Sequence, residues 1–282
     1  MTITPREAAE IAAANESGRQ PVVLIHGLWL LAESWDGWRH LLEEQGYAAV
    51  AVDWPDDPTS VAEARSNPDV FAGKGVGQVA DHIAEVITRL NRKPAVIGHS
   101  FGGLLAQIIA GRGLAAATVA IDPAPSRGVL PLPFTALKAA FPVLGNTANR
   151  KRAVTLTFDE FRYGFANAVS EAEARALYES SHVAAPGRPL FQAATANIDP
   201  GTEARADKKN PDRGPLLVLN GEKDTIVPRR LAYAAYKKQR KNPGVTEWLE
   251  LPGRGHSLVF DSSWEGVAEA ATGFLAAQGI RD

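Results

Sequence analysis

Two rhythms of apolar residues alternate along the chain. Short apolar runs recur at "PVVLIHG" (21–27), "AAVAVDW" (48–54), "PAVIGHS" (94–100), "ATVAIDP" (117–123), "PLLVLNG" (215–221) and "TEWLELPG" (246–253). They are rich in Val, Ile and Leu and do not alternate cleanly with polar residues, as strands buried on both faces of a parallel sheet read. Between them apolar residues return at helical spacing. Val76, Val79, Ile83, Val86, Ile87 and Leu90 form one stripe, and Phe101, Leu104, Leu105, Ile108 and Ile109 another. Weaker stripes run through 34–45, 229–240 and 264–277. Strands alternating with helices predict a doubly wound, mostly parallel α/β sheet.

The rhythm breaks between residues 125 and 210. Pro and Phe become frequent, the helical patterns shorten, and a polar stretch, "DPGTEARADKKNPDRGP" (199–215), closes the interruption. The break predicts an inserted, mostly helical cap over 125–210, carried by a core formed from 1–124 and 211–282. Within it "VLPLPFTALKAAFPVLG" (129–145), with Phe158, Phe161, Tyr163 and Phe165, either walls an apolar pocket or packs on the sheet.

Composition narrows the classes of function. The formal net charge of −2 gives no reason to expect a nucleic acid or an anionic membrane as partner. The basic run "KKQRK" (237–241) fits the solvated C-terminal end of a helix. There is no Cys, so disulfides, thiolate metal sites and a Cys nucleophile are all excluded. The polar, Ala-rich first twenty residues lack a basic start and an apolar core, and no apolar run approaches the ~20 residues of a membrane span. The expectation is a soluble protein of the cytoplasm. "GKGVGQ" (73–78) lacks phosphate-loop spacing and reads as a flexible lead into the following helix. No His, Asp or Glu cluster has metal-ligand spacing, so no metal and no cofactor is expected.

One segment carries chemistry. In "PAVIGHSFGGLLAQIIA", Ser100 stands between Gly98 and Gly102, where an apolar strand turns into an apolar helix. A Ser hydroxyl is a weak nucleophile until a base removes its proton and backbone N–H groups stabilise the resulting oxyanion. A sharp strand-to-helix turn projects the side chain from the sheet edge and sets helix N-terminal amides beside it. The flanking glycines remove side chains that would clash there. This is the Gly-x-Ser-x-Gly nucleophile elbow.

With that motif in this context the sequence resembles the α/β-hydrolase fold family over essentially its whole length. It is most similar to the cofactor-free esterase, lactonase and perhydrolase-like branch that carries a helical cap. The resemblance implies a triad in the order nucleophile, acid, base. It points to His256, in the Gly-rich loop "LPGRGHSLVFD", as base, since His40, His82 and His182 fall on predicted helices or in the cap. For the acid, Asp224 in "LLVLNGEKDTIVP" resembles the family's Gly-x-x-Asp-x-x-x-Pro pattern. Asp122, at the end of the strand after the elbow, is the other contender and reads as a loop-shaping residue. The oxyanion hole is expected from the backbone amides of Leu28, after the His26-Gly27 pair, and Phe101. His26 is expected to hold that loop by hydrogen bonds, and Trp35 to pack beneath it. Trp29 and His99 are candidates for the substrate pocket, with plain core packing the equal alternative for Trp29. The six visible strands fall short of the family's usual eight, with the two leading strands shortened or absent before residue 20.

A Ser at the elbow argues against epoxide opening and halide displacement, which need a carboxylate there. The expected chemistry is hydrolysis of carboxylic esters of small to medium apolar substrates through an acyl-enzyme. Lactone or C–C bond hydrolysis by the same triad is the alternative, peracid formation also fits, and a small-molecule receptor on the same fold is the alternative of another class.

Overall fold

The computed structural model describes residues 2–130 and 133–281. Residues 131 and 132, part of the apolar segment singled out above, lie outside the described residues. The strands of the first half are β1 (Pro21–Ile25), β2 (Ala48–Val52), β3 (Ala95–His99) and β4 (Ala117–Ile121). The helices around them are α1 (Pro5–Ser17), α2 (Asp36–Glu44), α3 (Val61–Ser66), α4 (Val76–Thr88) and α5 (Phe101–Gly111). Between β4 and the next strand of the main sheet come α6 (Phe134–Leu144), β5 (Ala153–Val154), α7 (Phe158–Gly164), α8 (Glu171–Ser181), β6 (Ala185–Pro186) and α9 (Arg188–Thr195). The chain then forms β7 (Leu216–Gly221), α10 (Arg229–Gln239), β8 (Thr246–Leu251) and α11 (Trp264–Ala277).

The main sheet has six strands in the order β2-β1-β3-β4-β7-β8, and every neighbouring pair is parallel. All six apolar runs of the sequence lie in it. Side-chain alternation sends Val23, Ile25, Val50, Val52 and Val96 to one face, where they meet Ile83, Val86, Leu104 and Leu105 of α4 and α5. Val22, Leu24, Ala95, Ile97, Val119 and Leu219 face the other way, onto Trp38 and Leu42 of α2 and Val267, Ala271 and Leu275 of α11. Both faces are covered, which is why these strands read as continuous apolar runs.

Two elements differ from the sequence reading. The N-terminal stretch contributes no strand but a helix: Thr4 caps α1, with Glu7 completing a capping box and Pro5 at the first turn. Glu7 is fully buried and also holds the Asp53 amide at 3.1 Å and His82 Nε2 at 2.9 Å, which seats α1 against β2 and α4. The run 246–251 is an edge strand, only partly buried, and Glu247 and Glu250 discourage further strands from pairing there.

The strand order changes direction between β1 and β3, and in open α/β sheets ligands bind beyond the carboxyl ends of the strands at such a switch. Ser100 follows β3 and the His26–Leu31 loop follows β1, so the fold brings both to that point.

Candidate active site

Ser100 sits at φ 58°, ψ −118°, a conformation that costs a non-glycine residue roughly 1–3 kcal/mol. Surrounding bonds hold it there. Its amide donates to the Ile121 carbonyl (2.9 Å), and its carbonyl accepts from Ala124 (2.9 Å) and Gly103 (3.0 Å). The turn is so tight that a Cβ on Gly98 would overlap the Gly102 carbonyl oxygen, and one on Gly102 would overlap the Ile25 carbonyl oxygen at the end of β1. Trp29 (φ 66°) and Asp122 (φ 41°) share this left-handed geometry. Three of the four such non-glycine residues among the described residues therefore lie at one site.

The three residues of the expected triad form a hydrogen-bonded line. His256 Nε2 lies 2.9 Å from Ser100 Oγ, and His256 Nδ1 lies 2.6 Å from Asp224 Oδ2. Asp224 Oδ1 accepts from the amides of Ile226 (2.7 Å) and Val227 (2.8 Å). These amide bonds fix the carboxylate, which then orients the ring. The His256 loop is tied down by the Ser257 amide, which donates to the Phe165 carbonyl (2.9 Å). Edge contact with Phe165 at 5.0 Å covers the ring. His256 is fully buried, and Ser100 and Asp224 nearly so.

Asp122 is buried behind this line. Its Oδ1 accepts from Asn220 Nδ2 (2.6 Å) and the Gly221 amide (2.8 Å), and its Oδ2 lies 3.9 Å from His256 Nδ1. Burial, and next the neighbouring Asp224, drive the Asp122 carboxyl well above the ordinary carboxylate range. Asp224 is the better-placed of the two acids, at hydrogen-bond distance from the ring.

His99, a candidate for the pocket, does not reach it. Strand alternation sends it to the face of Ala95 and Ile97, where it is fully buried with its ring 4.6 Å from that of His256. Burial first, and then the proximity of His256, push its pKa well below the usual histidine range. His99, Asp122 and His256 bring ligand atoms within 4.8 Å of one another. Both nitrogens of His256 already face Asp224 and Ser100, so the ring has no lone pair left for an ion.

Trp29, Ser100 and Phe101 line a cavity of about 230 Å³. Its walls are mostly apolar: Val129, Leu144, Leu156, Leu190 and Ile226 with a run of alanines from α6 and α9. Trp29 is anchored by its indole N–H, which donates to the Val154 carbonyl (3.0 Å). Leu130, Phe134, Leu137 and Phe141, in or just before α6, expose large apolar surfaces, and Leu130 and Leu137 also line the cavity. Phe101 opens α5, so its amide belongs to the first turn, where helix N–H groups lack intrahelical acceptors. Leu28 is buried beside the elbow but does not line the cavity itself.

The loop that carries Leu28 rests on a charged cluster that no sequence motif announces. Asp57 Oδ2 lies 3.2 Å from His26 Nε2 and accepts from the Trp54 amide (3.0 Å), while Lys74 Nζ lies 3.5 Å from Asp57 Oδ1. Lys74 and Asp57 are both almost wholly buried, and burial lowers the Lys74 pKa against the pull of Asp57. Lys74 belongs to the stretch read as a flexible lead. It is instead a buried cation under the loop after β1. His26 Nδ1 faces the Gly27 carbonyl at 2.9 Å, and the Trp54 indole donates to the His26 carbonyl (3.3 Å).

A parallel sheet with a serine on a strained turn after its third strand, and a buried His–Asp pair behind it, defines an α/β-hydrolase architecture. The chain belongs to the alpha/beta hydrolase family, whose model matches residues 22–270. Among solved structures it is similar to a monoacylglycerol lipase from Paleococcus ferrophilus, at 22% identity over 92% of this chain and 94% of that one, with a TM-score of 0.64. It is similar, too, to an extracellular alpha/beta-hydrolase from a Paenibacillus species, described as sharing structural and functional homology with tobacco salicylic acid binding protein 2. That match has 22% identity, covers 90% and 98% of the two chains, and has a TM-score of 0.65. A thermophilic esterase from Thermogutta terrifontis matches at 19% identity over 92% and 90%, with a TM-score of 0.62. Likeness at these identities speaks for the fold alone. No curated protein matches the chain. Among the described residues no helix is long and apolar enough to cross a membrane.

Proposed function

We propose that this chain is a serine hydrolase that cleaves carboxylic esters of small to medium apolar substrates. The observation that carries the reading is the hydrogen-bonded line from Ser100 Oγ through His256 to Asp224, opening on an apolar cavity. His256 takes the Ser100 proton as Oγ attacks the ester carbonyl. Asp224 holds the ring and stabilises the imidazolium. The amides of Leu28 and Phe101 receive the oxyanion, and one such donor is worth ~3 kcal/mol in the transition state. Collapse releases the alcohol with the proton from His256. Water, deprotonated by the same ring, then releases the acid.

Residues 125–210 act in this reading as a cap that supplies most of the apolar wall. The esterase and the lipase among the similar structures are in keeping with ester chemistry. The same triad serves lactone and C–C bond hydrolysis, and the cavity's apolar lining favours the ester over more polar substrates.

Turnover of p-nitrophenyl esters from acetate to decanoate, beside Ser100→Ala, tests the proposal. The expected result is turnover abolished by the substitution, with a chain-length optimum set by the cavity. Activity indifferent to Ser100→Ala would refute the mechanism. Binding of an ester without turnover would favour the receptor reading.

A further inference from the structure

Two carboxylates, Asp122 and Asp224, face one edge of the His256 ring, and all three side chains are sealed from solvent. The donors are shared unequally. Asp224 receives three, from the amides of Ile226 and Val227 and from His256. Asp122 receives two, both on Oδ1, and no protein donor reaches its Oδ2. Two ionised carboxylates here would leave two negative charges against one neutral ring away from bulk solvent, with no protein donor on one oxygen. No Lys or Arg pairs with either acid among the described residues. The remaining titratable neighbour, His99, is held neutral by burial and by His256. A proton on His256 would balance one charge but would leave Nε2 unable to accept the Ser100 proton.

We infer that Asp122 is a neutral carboxylic acid whose Oδ2–H donates to the Asp224 carboxylate, making Asp122 a positioning residue for the Asp224–His256 pair. The proton belongs on Asp122 because Asp224 already has the donors that stabilise an anion. The upward drive on the Asp122 carboxyl from burial and from Asp224 agrees with this. The arrangement gives the orphaned oxygen a partner. It leaves one negative charge opposite the ring, held by four donors in place of three.

The inference rests on the serine-hydrolase reading only for its kinetic consequence, so its main test does not use activity. In the unfolded chain Asp122 ionises near the ordinary value of 3.8, whereas in the folded protein it keeps its proton. Stability tied to this group is therefore fully present below about pH 4 and declines as pH rises, until the folded carboxyl itself titrates. Asp122→Asn preserves the acceptor for Asn220 and Gly221, supplies N–H donors towards Asp224, and has no proton to lose. Denaturant unfolding of both proteins from pH 5 to 9 should show the folding equilibrium of Asp122→Asn gaining on the wild type by up to about tenfold per pH unit. A ratio that is flat or falls with pH overturns the inference, because an ionised Asp122 would make the asparagine no better at high pH. Infrared spectra provide a second test on the unmutated protein. A protonated-carboxyl C=O band is expected at neutral pH and should vanish in Asp122→Asn, and its absence from the wild type also overturns the inference. In the kinetic arm, Asp122→Leu removes the donor while keeping the branching at Cγ, and Asp122→Asn should exceed it in kcat by at least about tenfold, with KM alike. Equal kcat values refute the positioning role while leaving Ser100→Ala to judge the hydrolase reading separately.

Discussion

Lys74→Met isolates the buried pair beneath the loop after β1. The substitution keeps most of the side chain's length and removes its charge, leaving the Asp57 carboxylate to the Trp54 amide and His26. Both charges are nearly inaccessible, at 4% and 1% exposure, so solvent cannot screen the loss. Removing one member of such a pair costs about 3–5 kcal/mol, mostly for the stranded charge. Unfolding a chain of 282 residues at ~2.1 cal/mol/K per residue carries an entropy of about 0.6 kcal/mol/K. The expected fall in Tm is therefore roughly 5–8 °C by calorimetry. Asp57→Asn combined with Lys74→Met removes both charges and should recover more than half of that fall. Because the cluster supports the loop bearing Leu28, kcat for a p-nitrophenyl ester should drop while KM holds. A Lys74→Met shift below about 1.5 °C, or a double variant no more stable than Lys74→Met, would show that the pair is not electrostatically coupled and would refute the reasoning.

Two further outcomes follow from the same geometry. Ala140→Phe, on the face of α6 that lines the cavity, should lower kcat/KM for octanoate and decanoate esters far more than for acetate, read from the same p-nitrophenyl series. His182, stacked on Tyr178 at 4.7 Å, has its pKa lowered to about 4, chiefly by burial and then by Arg65. Its stabilising effect is present above the unfolded value near 6.5 and is lost as pH falls towards 4, by roughly 3 kcal/mol at most. Thermal unfolding of His182→Phe should accordingly lose less stability between pH 7 and pH 4 than the wild type.

The sheet was legible because parallel strands covered on both faces leave unbroken apolar runs, and the elbow because glycine at two fixed positions marks a turn no other residue fits. Ser100 stands out by its own strand-turn-helix pattern, whereas Asp224 and His256 are singled out through the family resemblance, which looks for them after β7 and β8. The helix at the N-terminus was missed although its signal was present: Thr4, Pro5 and Glu7 spell a capped start, and only the weak apolar stripe of Ile11 and Ala14 hid it. The Lys74–Asp57 pair left no local trace, since burial of a lone Lys is set by elements that meet only in three dimensions. Arg213 is a similar case. It lies in the polar stretch 199–215, yet its guanidinium is buried, donating to the carbonyls of Gln239 and Val245 at 3.2 and 2.8 Å. His99 lies outside the expected pocket because a residue adjacent to Ser100 in sequence points, by strand alternation, to the opposite side. The segment 129–145 is legible as a candidate apolar wall, and Val129, Leu137, Ala140 and Leu144 line the cavity, but the cavity's shape depends on α6, α9 and loops whose mutual placement no periodicity encodes.

Ser100 and His256 are 156 residues apart, and the interval includes the whole of the segment between β4 and β7. Translation at about 5–20 residues per second puts the histidine roughly 8–30 s behind the serine. The elbow can be made early, since β1, β3, β4 and α5 have all been synthesised by residue 121. The imidazole that lies 2.9 Å from Ser100 Oγ is made only after the segment between β4 and β7 and after β8. Under the proposed mechanism, a nascent chain that has not yet reached residue 256 carries Ser100 without its base.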